Sequence, residues 1–280
     1  MPLTPKLTDR TALALHRHRA WHAPELFLFE EAATDLKERV SEVKKVFTAP
    51  AIVGGNATPF IIHWANAKIA SDDDTLALEP AAHDLILHTM SLHWADDPIG
   101  QMVQSRLALR PDGLFIAVQF GGQTLHELRT SLAEAETKLT GGLSPRILPM
   151  GDMRDLGALL QRAGFALPVA DNRTLTVRYQ SLSDLFRDIR GMGETNALAA
   201  RRRAFSPRKL FALTEQIYRA NFADTEGYLT ATFELVYLTG WSPDSSQQKP
   251  LQPGTASTRL ADALGVDESP TGDIADPKQR

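Results

Sequence analysis

Apolar positions recur along this chain in two rhythms, and the switches between them mark its elements. From Pro24 onward Phe29, Ala33, Leu36, Val40 and Val43 return every three or four residues, with Glu30, Lys37, Glu38 and Lys44 between them. That spacing predicts an amphipathic helix. Ala51-Ile52-Val53-Gly54-Gly55 reads as a short buried strand ending in a glycine turn, and Phe60-Ile61-Ile62-His63-Trp64 predicts a second strand. Ser71-Asp72-Asp73-Asp74 is a loop, and Asp84-Leu85-Ile86-Leu87-His88 is a strand bounded by polar residues. A helix is expected from Asp97 to Leu109, with Ile99, Met102, Val103 and Leu107 on one side. Arg110-Pro111-Asp112-Gly113 has the chemistry of a turn, since proline fixes φ and glycine accepts positive φ. It launches Leu114-Phe115-Ile116-Ala117-Val118, a continuous apolar run of the kind covered on both faces.

Further helices are expected at about 124–139, 152–163, 183–189 and 206–221, the last capped by Ser206 with Pro207 at its first position. Two late segments, Leu175–Tyr179 and Leu229–Leu238, are rich in Thr, Val and Tyr and predict an antiparallel edge pair. Strands separated by helices, with apolar rather than alternating patterns, predict an α/β fold built on a doubly wound, mostly parallel sheet. The division expected is an N-terminal helical cap over 1–48, an α/β domain over 49–241 and an extended tail over 242–280. In that tail only Leu260–Leu264 reads as helical. No internal repeat is present.

Composition narrows the function classes. The 280 residues suit one large domain, and a net charge of −4 gives no basic field for nucleic acid or an anionic membrane. The absence of cysteine excludes a disulfide framework, thiolate metal sites and a cysteine nucleophile. His63 and His88 lack metal-ligand spacing with acids, so no metal site is expected. No stretch approaches the ~18 apolar residues of a membrane span. Lys6, Arg10, Arg17 and Arg19 against Asp9 superficially suggest a transit peptide, but serine enrichment is missing. A basic first helix in a cytoplasmic protein is the plainer expectation.

Several local strings are more specific than periodicity. In order they are Ser91-Leu92-His93-Trp94, Arg110-Pro111-Asp112-Gly113, Phe120-Gly121-Gly122-Gln123-Thr124-Leu125 with Glu127-Leu128-Arg129, and Gly141-Gly142-Leu143-Ser144-Pro145. Gln161-Arg162-Ala163-Gly164-Phe165, Arg190-Gly191-Met192-Gly193-Glu194-Thr195-Asn196 and Thr239-Gly240-Trp241 follow. Together they resemble the class I S-adenosylmethionine-dependent methyltransferase superfamily, and within it the branch containing mitochondrial complex I assembly factor 5. The resemblance runs from about Asp9 to about Leu264. It implies a Rossmann-like sheet of seven strands with the last one antiparallel, and S-adenosylmethionine lying over the carboxyl ends of the first strands. For that branch it also implies action on an arginine of a complex I subunit, as a hydroxylation, and hence a protein partner.

The sequence departs from the pattern where the cofactor should bind. The family's first strand ends in an acid and a loop of the form Asp-x-Gly-x-Gly-x-Gly, whose glycines let the backbone approach the ligand. Here Gly54 matches the first glycine, but Ile52 stands where the acid should be. Asn56 and Thr58 replace the later glycines, and Pro59 removes a backbone donor. No acid lies between Val53 and Ser71, so the ribose ligand has no candidate. The eighteen positions from Gly54 to Asp72 cannot hold a loop, helix, strand and part of another, because one crossover takes about 30. The first β-α-β unit is therefore expected to be truncated.

By resemblance the residual cofactor residues are Gly54, Asp72, Ser91 and His93, with Asp72 facing the adenine amino group. Against that stand a solvated acidic turn at Asp72-Asp73-Asp74 and a hydrogen-bonded, partly buried His93. On the substrate side the matching residues are Gly121, Gly122, Glu127, Arg129, Arg190, Glu194 and Asn196. Their plainer readings are a strand-to-helix turn at the glycines and a local Arg190–Glu194 ion pair. Arg201-Arg202-Arg203 reads as a solvated basic turn or a docking patch. The expected function is a methyltransferase-superfamily protein with a degraded cofactor loop that binds or assists a protein partner, which the resemblance implies to be a complex I subunit. The alternative is an active S-adenosylmethionine-dependent enzyme.

Overall fold

The computed structural model describes residues 6–248 and 265. Its contacts divide the chain into Met1–Asp244 and Ser245–Arg280, and the fold belongs to the first unit. The tail helix expected at Leu260–Leu264 lies outside the described residues.

Six strands form one sheet: β1 Pro50–Val53, β2 Lys68–Ala70, β3 His83–Thr89, β4 Leu109–Phe120, β5 Ala166–Tyr179 and β6 Leu229–Trp241. Their order is β2-β1-β3-β4-β6-β5. The first four pair in parallel, while β6 runs antiparallel to both β4 and β5. The last strand is thus the one reversed, and it is inserted between β4 and the edge strand β5.

Strand side chains alternate between two buried faces. Ile52, Leu85, Leu87, Leu114, Ile116 and Val118 meet α2 (Phe27–Glu42), α5 (His126–Thr140), α7 (Leu182–Gly191) and α8 (Arg208–Phe222). Ala51, Val53, Ile86, Phe115 and Ala117 meet α4 (Pro98–Ala108) and α6 (Met153–Arg162) on the other face. Coverage on both faces explains why these strands read as unbroken apolar runs. Among the described residues, no helix is long and apolar enough to cross a membrane.

Four local expectations change. Phe60–Trp64 is not a strand: Thr58–Ile61 is a short helix, α3, with Pro59 in its first turn. Phe60 is fully buried while Ile62 stays 77% exposed, so the run has one covered side and no strand neighbour. Arg110–Gly113 is not a free turn but an irregularity inside β4. His83 faces Leu109 and Leu85 faces Leu114, so the four residues loop out of the ladder at the positive φ of Asp112. The second late strand pair is longer than expected, with β5 reaching back to Ala166. Ser206 does not cap α8; its hydroxyl accepts from Arg146, and Arg201 and Arg203 pair with Asp9 rather than lying free in solvent.

The sheet has six strands where the family resemblance implies seven. Only Gly54–Ala67 separates β1 from β2, and that stretch holds just the four-residue α3. The first β-α-β unit is truncated. A consequence is that β1 ends hard against β3. A Cβ on Gly54 would overlap the Thr89 hydroxyl and lie 2.6 Å from the Thr89 carbonyl oxygen. Gly54→Ala is therefore expected to destabilise the fold by about 1–3 kcal/mol through overpacking, measured as a lower urea midpoint at unchanged slope.

Candidate functional site

The carboxyl ends of β1, β2 and β3 define one corner of the molecule. Directly after β2 comes Asp72, which is 2% exposed and not a solvated turn; its neighbour Asp73 has the exposed carboxylate. Two cations reach Asp72 from α1 (Arg10–Ala20). Arg17 grips it at two points, 2.7 and 3.1 Å, and Arg10 approaches at 3.3 Å. Arg10 also donates to the Asp72 backbone carbonyl, as does Gln101 Nε2 at 3.1 Å. Arg10 and Arg17 sit two helical turns apart and so share a face. Burial alone would raise the Asp72 pKa, but the two guanidinium groups outweigh it and hold the carboxyl below its ordinary value.

The helix that carries them is firmly seated. Asp9 caps it by accepting from the Ala12 amide, and Asp96 accepts from the Leu7 and Thr8 amides. The Arg17 guanidinium lies over Gly55, where any Cβ would overlap it. What remains of the corner is a cavity of about 150 Å³ between Arg17, Trp21, Gly55, Asn56, Thr58 and Met192.

Ser91 and His93 follow β3. Ser91 is fully buried beside His88, its hydroxyl 3.4 Å from His88 Nδ1, while His88 Nε2 lies 2.9 Å from Gln101 Oε1. This pairing assigns the Nε2–H tautomer to a neutral ring, since an amide oxygen only accepts. Burial pushes the His88 pKa down to about 4 against the opposing pull of Gln101. His93 Nε2 lies 3.0 Å from Glu194 Oε2, and the Trp94 indole N–H donates to the same oxygen at 2.7 Å. His93 Nδ1 is buried without a partner, and its ring edge meets Phe120 at 5.2 Å.

A larger cavity, about 320 Å³, opens on the neighbouring side, between the end of β4, the start of α5, the end of α7 and the 191–196 loop. Of the substrate-side residues, Arg190, Glu194 and Asn196 line it together with Trp94. Gly121, Gly122, Glu127 and Arg129 do not. Gly121 lets β4 approach β6, since a Cβ there would come within 2.6 Å of Val236. The Gly122 amide donates to Gly151. Glu127 is buried and accepts from the Thr232 amide and hydroxyl, tying α5 to β6. Arg129 donates to the Gly122 and Thr124 carbonyls, bracing the loop before α5.

The Arg190–Glu194 ion pair does not form. Gly191 ends α7 and Gly193, at φ +79°, turns the chain so that Glu194 faces His93 and Trp94 instead. Arg190 makes no ion pair among the described residues, and Glu194 Oε1 accepts no hydrogen bond among them.

Sequence reasoning missed Arg10, Arg17 and Gln101 at the corner, although the seven-residue spacing of the two arginines was a usable signal. It also missed the cavity's apolar wall, including Leu125, Leu128, Phe186, Ile189 and Phe233. Those positions carry the same periodicity as core. Among the described residues, no group of three or more His, Asp and Glu could hold a metal ion.

No profile of a known protein family matches the chain. Individual relatives do. Arginine-hydroxylase NDUFAF5, mitochondrial, of Danio rerio is 37% identical over 194 residues, 69% of this chain and 60% of that protein. The Homo sapiens protein of the same name is 37% identical over 195 residues, 70% of this chain and 56% of its own. Malonyl-(acyl-carrier protein) O-methyltransferase of Xylella fastidiosa is 36% identical over 185 residues, 65% of this chain and 60% of that protein. Among solved structures, the YcgJ protein of Bacillus subtilis superposes with a TM-score of 0.49 at 12% identity, over 76% of this chain and 99% of that one. The strand order with its reversed last strand and the sequence relatives place the chain in the class I methyltransferase superfamily. Within it, the chain belongs to the branch of the NDUFAF5 arginine hydroxylases, and it spans under two thirds of the length of those relatives.

The buried His88 generates a pH prediction. Its proton is bound near pH 6.5 in the unfolded chain but only near 4 in the fold. The stability it contributes is therefore complete above about pH 6.5 and is lost as pH falls toward 4, for a total of about 3 kcal/mol. Denaturant unfolding between pH 7 and 4 checks this, with His88→Asn expected to flatten the profile over that window.

Proposed function

We propose that this chain is a methyltransferase-fold binding protein that holds a protein partner through its 320 Å³ cavity and does not depend on S-adenosylmethionine. The observation that carries this reading is the contrast between its two sides. Where the family places its cofactor, the ribose acid and later glycines are absent, Asp72 is neutralised from within and Arg17 covers Gly55. The remaining 150 Å³ is half the lower end of the ~300–1,000 Å³ usual for small-molecule sites. The residues present there do not fit the cofactor. The other cavity, by contrast, offers about 320 Å³ and a wall of apolar and polar side chains.

The cavity wall suggests the partner's chemistry. Glu194 is its one carboxylate, with one oxygen fixed by His93 and Trp94 and the other free of hydrogen bonds among the described residues. Apolar walls below a fixed carboxylate suit a long cationic side chain, even though two arginines line the same cavity: Arg146, which is held by Glu136, and Arg190, which makes no ion pair among the described residues. The relatives named arginine hydroxylases point to arginine, and the expected partner is a protein of the respiratory complex I type. The cytoplasmic assignment stays a reading of composition, whereas the relatives' names are mitochondrial.

The second reading, an active methyltransferase, is favoured by the relative from Xylella fastidiosa. Calorimetric titration with S-adenosylmethionine and S-adenosylhomocysteine to about 1 mM separates the two. Absence of saturable heat is expected, and micromolar binding of either compound would overturn the cofactor-free reading. Glu194→Gln is expected to weaken binding of an arginine-containing peptide roughly 10- to 100-fold, the worth of one charge-assisted hydrogen bond. A peptide with citrulline in place of arginine should lose affinity for the unmodified protein but not for the variant.

A further inference from the structure

The cofactor corner is occupied, and its occupant belongs to the chain. The Arg17 side chain is 19% exposed, the Asp72 side chain 3%, and the pair is bound at two points. Arg17 does more than neutralise a buried acid. A Cβ on Gly193 would lie 3.1 Å from Arg17 Cα, so the 191–196 loop rests directly on this turn of α1. The flanks of α1 hold the same loop: the Asp9 amide donates to the Ala197 carbonyl, and the Glu25 amide donates to Gly191. Met192 lines both cavities, with Arg17 behind it on one side and the cavity of Glu194 on the other.

We propose that α1 is a resident plug: the Arg17 guanidinium takes the space and the polar contacts that a bound nucleoside would take at Asp72 and Gly55, and so holds the 191–196 loop in its cavity-forming position without a ligand. The inference rests on the cofactor-free reading above and supplies its physical cause. Loss of the later glycines opened no empty cleft, because the helix preceding the sheet fills it. A side chain at position 55 would displace Arg17, so Gly55 leaves the guanidinium its seat. Release of α1 would uncover a carboxylate that is otherwise buried, which makes the plug self-locking.

The test is hydrogen exchange on the full chain, comparing wild type with Arg17→Ala/Asp72→Asn. The second substitution removes the orphaned charge that could unfold Arg17→Ala alone. The reporters are the Gly193 and Glu194 amides, which donate to the Arg190 and Ile189 carbonyls. They are expected to exchange on the order of tenfold faster in the double variant while β4 amides keep wild-type protection. Unchanged loop exchange would overturn the proposal by making Arg17 irrelevant to the loop. A parallel rise in the loop and in β4 would overturn it by making the pair a global stabiliser only. Failure of the underlying functional reading is seen separately, as saturable binding of S-adenosylmethionine by the wild-type protein.

Discussion

A buried carboxylate cannot stay charged away from water unless something pays its desolvation, and in this molecule the arrangement around Asp72 meets that constraint with two arginines from one helix. Much else follows from that interaction. It fixes where α1 lies across the strand ends and sets which residues of the 191–196 loop can approach. Met192 stands between the smaller cavity at this corner and the larger one beside it. The hydrogen bonds at Thr8, Asp9 and Asp96 orient the helix, and Asp72 gives its two arginines a buried anchor just past the end of β2.

The truncated edge and the plug are two parts of one solution. With only α3 between β1 and β2, the connection is too short for a full strand–helix–strand crossover. β2 follows β1 closely and delivers Asp72 two residues beyond Ala70, where the basic face of α1 can reach it. Downstream of β3 the long β4–β6–β5 pairing carries the helices that wall the larger cavity.

How much of this was legible in the sequence depended on whether local pattern or distant pairing decided the outcome. The parallel strands were legible because coverage on both faces leaves unbroken apolar runs at Ala51–Val53, Leu85–Leu87 and Leu114–Val118. The truncation was legible by counting residues. Phe60–Trp64 misled because burial of Phe60 alone does not make a strand, and Pro59 had already favoured a helical start. The Arg190–Glu194 pair misled because nearness in sequence was taken for contact, whereas Gly193 turns the chain. Asp72 looked solvated for lack of any local partner; its partners lie more than fifty residues earlier in the chain, and only the fold brings them together. Glu127 and Arg129 were assigned to a site by resemblance, and their side chains turn inward to brace the loop and β6.

The chain contains four tryptophans, and their placement gives the cavity an optical consequence. Trp21 is 75% exposed, whereas Trp94 is 2% exposed and gives its indole proton to the cavity's one carboxylate. An occupant that draws on Glu194 must change the electric field along that indole N–H. With Trp21, Trp64 and Trp241 replaced by phenylalanine, emission from Trp94 alone becomes a label-free gauge of whether the cavity is filled.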